Sequence, residues 1–208
     1  MKNTTRFISI FGAIILLLNA FLCTNCFAED ESEKLDLFTM EAEYVDFFGL
    51  SGPGISNSAT ETQMIVSDAK GKLGASNGHY VAYTHAPDIT LTFEFESEAE
   101  SVGTLILRLG SDLGDIENYG SQALGITING EPLDYDTTFT LDGSCFHDYV
   151  ITEELPIQEG ANTLELTVLL SDVLEAQFGT FQTFGPLFDC VKIDTDATLT
   201  WEPLTDNI

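Results

Sequence analysis

The chain predicts an all-β domain, read as a sandwich, on three observations. Brief apolar runs recur with the strand period of two; turn-forming glycine, asparagine, aspartate, serine and proline stand between them; and helical periodicity is nowhere sustained. The clearest run sets Ile89, Leu91, Phe93 and Phe95 against Thr90, Thr92, Glu94 and Glu96, the pattern of a strand with one buried and one wet face.

In chain order, the predicted strands cover 37–45, 63–66, 79–84, 89–95, 104–109, 125–129, 149–155, 163–170 and 188–193. The intervening 51–54, 76–78, 86–88, 129–130 and 158–160 carry turn chemistry. Asn129-Gly130 is a tight turn, because both residues accept positive φ. Gly160 and Asn162 turn the chain into the run 163–170, and Pro156 before them is expected to block further pairing. The stretch 173–178 has room for one helical turn, but Gly179 and the threonine-rich residues after it predict a loop.

Residues 1–28 are foreign to this pattern: Lys2 and Arg6 precede the apolar stretch 7–22, and Cys26, Phe27 and Ala28 follow it. They read as a secretory signal peptide cleaved after Ala28. A retained anchor is the alternative, although the apolar run is short for a spanning helix. An acidic leader (29–36), one sandwich domain (37–203) and a short tail (204–208) complete the expected organisation, with no repeat or linker. The product would be secreted or displayed at the cell surface, with no membrane span after cleavage.

Beyond residue 28 stand all 34 acidic residues and only five basic ones, Lys34, Lys70, Lys72, Arg108 and Lys192, a formal charge of −29. Such a surface repels nucleic acid and anionic membranes and suits neutral ligands or cations. Two cysteines remain in that part, Cys145 and Cys190; in an exported chain an even count makes a disulfide between them the default. Without a histidine-rich partner set, a zinc site is not predicted.

Glu41 and Glu43 interrupt the otherwise apolar run 37–45, where a period of two puts both on one face and Phe38, Met40, Ala42 and Tyr44 on the other. Side chains two apart on a strand lie roughly 7 Å from each other. One oxygen-seeking ion bridges that span if both carboxylates lean inward. A solvated face and a catalytic dyad remain open as readings of the pair.

Five segments in order resemble the calcium-stabilised β-sandwich carbohydrate-binding modules of families 6 and 35. They are Glu41-Ala42-Glu43; Ser76-Asn77-Gly78-His79-Tyr80-Val81; Ile126-Thr127-Ile128-Asn129-Gly130; Gly160-Ala161-Asn162-Thr163-Leu164-Glu165-Leu166; and Gly185-Pro186-Leu187-Phe188-Asp189-Cys190-Val191. The resemblance implies a jelly-roll β-sandwich of galactose-binding-domain-like topology. It also implies that Glu41, Glu43 and Asp189 ligate a structural Ca2+, with backbone carbonyls completing the shell.

The resembled families bind polysaccharide or glycan in loops at one end of the sandwich, where aromatic faces cover the sugar. Here the loop before the last strand offers Phe178, Phe181 and Phe184, which read either as ligand contacts or as a hydrophobic plug. The segment 110–120 offers Asn118 and Tyr119, and its Asp112, Asp115 and Glu117 read as a second calcium set or as a solvated acidic loop. Arg108 is the natural bidentate partner of a carboxylate-bearing sugar, or answers a neighbouring Glu in the fold. The families often display Trp or Tyr in their binding loops, whereas the sole tryptophan here, Trp201, lies beyond the last predicted strand, a departure that weakens the sugar-binding expectation.

These readings predict a secreted, non-catalytic carbohydrate-binding module with a structural calcium ion. The alternative is an extracellular protein-interaction or adhesion module on the same fold. A glycoside-active enzyme is disfavoured: His79, His85 and His147 are expected to have no nucleophile elbow, Cys-His pairing or phosphate loop to accompany them, and among 34 acids some pair at hydrolase spacing arises by chance.

Overall fold

The computed structural model describes residues 37–48, 65–67, 74–82, 84, 87–111, 114–172, 174–175 and 185–204. All of them belong to one unit, Asp36–Ile208. Residues 1–36, with the expected signal peptide and leader, lie outside the described residues, as do 178–184 with Phe178, Phe181 and Phe184.

Two six-stranded sheets build the sandwich. The first runs β11 (His147–Ile157), β6 (Ser101–Gly110), β13 (Leu187–Asp194), β4 (His79–Val81), β3 (Ile65–Ser67). Its remaining strand, β1 (Phe38–Glu41), pairs antiparallel with β13 from Phe38↔Ile193 to Glu41↔Cys190. The second runs β14 (Leu199–Thr200), β5 (Thr90–Ser97), β12 (Gly160–Val168), β8 (Leu124–Ile128), β9 (Glu131–Pro132), and β2 (Asp46–Phe48) joins it through β5. A separate ribbon pairs β7 (Ile116–Gly120) with β10 (Thr138–Leu141). The architecture is the all-β sandwich that the alternation predicts and the jelly roll that the resemblance implies.

The core lies between the sheets, where alternate residues of facing strands meet. Leu91, Phe93 and Phe95 of β5 with Leu164, Leu166 and Val168 of β12 pack against Leu105, Leu107 and Leu109 of β6 and Phe188, Val191 and Ile193 of β13. Each such side chain stabilises the fold by roughly 1.5–3 kcal/mol. The intervening Thr92, Glu94 and Glu96 face outward.

Four local expectations are corrected. The first strand stops at Glu41, and Ala42–Tyr44 form a 3₁₀ turn that buries both Ala42 and Glu43, so the two glutamates do not share one flat strand face. Pro156 does not end pairing: it stands opposite Val102 of β6, and β11 continues to Ile157, opposite Ser101. β11 is a sheet edge, where a missing N–H is tolerated. The segment around Asn118 and Tyr119 is strand β7, not loop, and Asn118 is accommodated at φ 55°. Glu175 N donates to Ser171 O, one turn of helix where a loop was predicted.

One buried amide ties two hairpins together. Asn129 and Gly130 have φ of 55° and 81°, the tight turn expected between β8 and β9. Asn162, buried beside it, accepts hydrogen bonds at Oδ1 from Asn129 Nδ2 and from the Gln158 amide, each at 3.0 Å. Its Nδ2 donates to the carbonyls of Gln158 and Gly160, each at 2.9 Å. Asn129 Oδ1 in turn accepts from Thr163 N at 2.9 Å. Replacing Asn162 by alanine strands several of these groups at once, at about 1–3 kcal/mol per unsatisfied group. Asn162→Ala is therefore expected to destabilise the domain by about 2–4 kcal/mol in a denaturant titration; a loss below about 0.5 kcal/mol would mean that the amide holds nothing together.

Candidate functional site

Asp189 organises the chemistry of the first sheet. A register shift between Phe188 and Cys190 breaks the alternation of β13, leaving five consecutive residues, Leu187 to Val191, buried. Phe188 and Val191 join the core. Asp189, fully inaccessible, instead meets polar partners. Arg108 Nε of β6 lies 2.8 Å from Asp189 Oδ2 as an ion pair. The Ser76 amide donates to Asp189 Oδ1 and Oδ2 at 3.0 and 3.1 Å. The Ser76 hydroxyl donates to Glu41 Oε2 and lies 3.1 Å from Asp189 Oδ1, so one serine links β1 to β13.

Arg108 is committed on every side of its guanidinium that the structure describes. Nη1 pairs with Asp148 Oδ1 at 3.1 Å, and Nη2 donates to Gly74 O at 2.8 Å. Lys192 Nζ meets the other oxygen of Asp148 at 2.6 Å. The acids that answer Arg108 are two aspartates, not the neighbouring Glu expected. Asp148 is held below its ordinary range: burial opposes ionisation, but Lys192 and Arg108 outweigh it.

The three predicted metal ligands share one electrostatic neighbourhood. Burial, reinforced by the charges of Glu41 and Asp189, pushes the Glu43 carboxyl up to about 7. Burial and the Glu41 charge raise Asp189 to about 6, against the opposing pull of Ser76 and Arg108. Glu41 is raised as well, chiefly by burial, with Ser76, Lys192 and Arg108 opposing. Neither a solvated face nor a loose pair of acids describes this cluster. Its donors are all hard oxygens, the chemistry of Ca2+ rather than of a softer ion. Their ligating atoms do not all lie within 4.8 Å of one another, which is an open arrangement for oxygens on one calcium. Donor chemistry fits the ion; the carboxylates must draw together to hold it.

The remaining predicted positions scatter. Tyr119 is fully buried, with its ring 5.8 Å from that of Phe139 in the core, so its place among ligand contacts is corrected. Asn118 is exposed on β7, and its carbonyl accepts from Gln122 Nε2. Asp115 Oδ1 accepts from Gly143 N at 2.9 Å, and Asp112 is outside the described residues. Cys145 and Cys190 are both buried thiols rather than a disulfide. The Cys145 sulfur faces His147 Nε2 at 3.3 Å, which corrects the expectation that no histidine pairs with a cysteine. Cys190 stands among Asp189, Glu41 and Ser76, and burial, helped by those acids, pushes its thiol well above the ordinary range.

Sequence reasoning missed a groove on the wet face of the second sheet. Trp201, Glu202 and Glu94 line two adjoining hollows there, one extending to Tyr44 and Asp46 and the other to Thr163. The larger has a volume of about 550 Å³, within the range of small-molecule sites. Trp201 is half-buried and packs on the core, while Glu94 and Glu202 are exposed. Leu204 N donates to Tyr44 O at 2.9 Å, which holds the C-terminal segment against the 3₁₀ turn. The outward period of Glu94 and Glu96 was legible; the return of Trp201 across them was not.

No family model matches the chain, and no curated protein matches it. Solved structures do. A native family 35 carbohydrate-binding module from Clostridium thermocellum aligns with a TM-score of 0.53 at 15% identity, over 76% of this chain and 98% of that one. A family 35 carbohydrate-binding module from an environmental isolate gives 0.51 at 13% identity, over 80% and 98%. A Podospora anserina GH26-CBM35 beta-(1,4)-mannanase gives 0.49 at 17%, over 77% of this chain, which spans 28% of that protein. At these identities the likeness is one of fold: the sandwich is of the kind seen in family 35 carbohydrate-binding modules.

Proposed function

We propose that the chain is an exported, non-catalytic carbohydrate-binding module that carries a structural calcium ion and meets its glycan in the Trp201 groove. The observation that carries the reading is the pairing of a half-buried indole with wet carboxylates in one hollow, on a fold shared with modules of that kind. An aromatic face covers the C–H patch of a sugar ring, and carboxylates such as Glu94 and Glu202 accept hydrogen bonds from its hydroxyls. The acidity of the chain favours a neutral glycan over an anionic one.

Calcium belongs, in this reading, to the carboxylate cluster and not to the sugar. Glu41, Glu43 and Asp189 would hold it, and the ion would supply the positive charge that their burial lacks. By joining β1 to β13 it would fasten the sandwich without touching ligand.

Because Trp201 is the only tryptophan, its fluorescence reports directly on the groove. Titration with soluble polysaccharides is expected to shift that emission, and Trp201→Ala to weaken retention on affinity gels at least ~10-fold, on the scale of a lost aromatic contact. Retention on no polysaccharide with calcium present would remove the carbohydrate reading in favour of a protein partner. Retention without a fluorescence change would move the site off Trp201.

Calcium is expected to raise the melting temperature of the wild type, and chelator to reverse the gain; in Glu43→Gln the gain should largely disappear. No shift in wild type, with a neutral Glu43→Gln, would remove the ion.

In metal-free buffer the same cluster sets a pH dependence. Glu43 and Asp189 bind their protons more tightly folded, near 7 and 6, than unfolded, near 4.5 and 3.8. Their stabilising contribution is complete below about pH 4 and is lost as pH rises through 6 and 7. The metal-free protein should therefore melt lower at pH 8 than at pH 5, by the order of 5 °C for a cost of about 2 kcal/mol. Added calcium should help most at the alkaline end. A melting temperature that is flat between pH 5 and 8 would show the carboxylates to be ordinarily ionised.

A further inference from the structure

The loop 142–146, between β10 and β11, and His147 at the start of β11 gather three different ligating atoms around one point. His147 Nε2 lies 2.9 Å from Asp142 Oδ2 and 3.3 Å from Cys145 Sγ, and the sulfur lies 3.9 Å from the same carboxylate oxygen. Among the described residues, this is the one group of three His, Cys, Asp or Glu side chains whose ligating atoms all fall within 4.8 Å of one another. We infer that Asp142, Cys145 and His147 form a binding site for a divalent transition metal ion, Zn2+ by donor preference, separate from the carboxylate cluster and its calcium.

The spacing fits. Tetrahedral zinc with ordinary Zn–S, Zn–N and Zn–O bonds separates its ligand atoms by about 3.3–3.6 Å. All three separations here are within roughly half an ångström of that range. The donor set of one thiolate, one imidazole and one carboxylate is too soft for calcium and suits zinc. With Cys145 deprotonated, its charge and that of Asp142 balance the ion. The thiol proton passes to buffer as the sulfur coordinates.

Asp142 is also held ready. Its Oδ1 accepts from the Ser144 amide, the Ser144 hydroxyl and the Cys145 amide, which leaves Oδ2 aimed at the other two ligands. These bonds, with His147, outweigh burial and hold the carboxyl well below its ordinary range. The loop itself is anchored by Ser111 N donating to Asp142 O and by Gly143 N donating to Asp115 Oδ1, each at 2.9 Å. Such outer bonds are what orient metal ligands. Cys145 is buried while His147 and Asp142 reach solvent, so an ion has a path in, and a water can take the fourth position.

The same geometry argues against a nucleophilic Cys-His-Asp relay. That relay places the nucleophile and the acid on opposite ring nitrogens, one to be activated and one to orient. Here Nε2 faces both. Convergence on one nitrogen is the arrangement of a chelate. A histidine-rich cluster is absent from the sequence, but an open three-ligand zinc site needs only one histidine.

The test uses the full chain with Cys23 and Cys26 changed to serine throughout, treated with chelator and then titrated with Co2+ or Zn2+. One equivalent is expected to bind, and cobalt is expected to give a near-ultraviolet sulfur-to-metal charge-transfer band. Cys145→Ser should abolish that band; His147→Asn should weaken zinc binding by more than the ~10–100-fold typical of a lost outer-sphere partner, which is the loss expected for Ser144→Ala. Cys190→Ser and Glu43→Gln should bind zinc as the parent does. Circular dichroism confirms that each variant is folded. Folded parent protein that takes up no zinc at micromolar concentration, or a band that survives Cys145→Ser or disappears in Cys190→Ser, would overturn the assignment.

Discussion

The ion pair between Arg108 and Asp189 is the constraint around which the first sheet is arranged. Asp189 is fully buried on the central strand of that sheet, and a carboxylate in such a place is tolerated only with partners. Arg108 reaches it from the neighbouring strand at 2.8 Å. Removing one partner of a buried pair typically costs about 3–5 kcal/mol, because the other is left charged and alone. The rest of the arrangement follows from satisfying these two residues. The bulge in β13 turns Asp189 out of the core, Ser76 fills its remaining lone pairs, and Asp148 and Lys192 complete the surroundings of Arg108.

This chain of contacts crosses the sheet rather than running along a strand. It passes from Glu41 on β1 through Ser76 to Asp189 on β13, then to Arg108 on β6 and Asp148 on β11. Each step joins a strand to one that is distant in sequence. Negative charge still exceeds positive at the Glu41 and Glu43 end, and burial there favours the protonated acids. That local deficit, and not the acidity of the whole surface, is the physical case for a cation. Ordinary surface acids are solvated and carry no such deficit.

The three chemistries of the molecule are separated by face. Hard carboxylates stand beside β13, the sulfur and nitrogen ligands stand at the entry to β11, and the indole lies over the outer side of β5. The β5 face belongs to the second sheet and β13 to the first, and the groove approaches the carboxylates only at Tyr44, next to Glu43 in the 3₁₀ turn. The proposed roles are distinct: fastening of strands, local chelation, and contact with a sugar ring.

What the sequence determined by itself is the alternation. Ile89 to Phe95, Thr104 to Leu109 and Thr163 to Val168 place a large side chain on every second residue, and a half-buried strand is the structure that buries them all on one side. Asn129-Gly130 was legible for the same local reason, since its backbone angles are written in two residues. Tertiary structure decided what local period does not encode. The 3₁₀ turn after Glu41 ended a strand that alternation would have continued, Tyr119 went to the core because β10 pairs with β7, and the two thiols found separate surroundings. The partners of Arg108, Ser76 and Trp201 depend on strand order and register across 34 residues or more. Periodicity tells which face a side chain takes; only the closed sandwich tells which other side chains share that face.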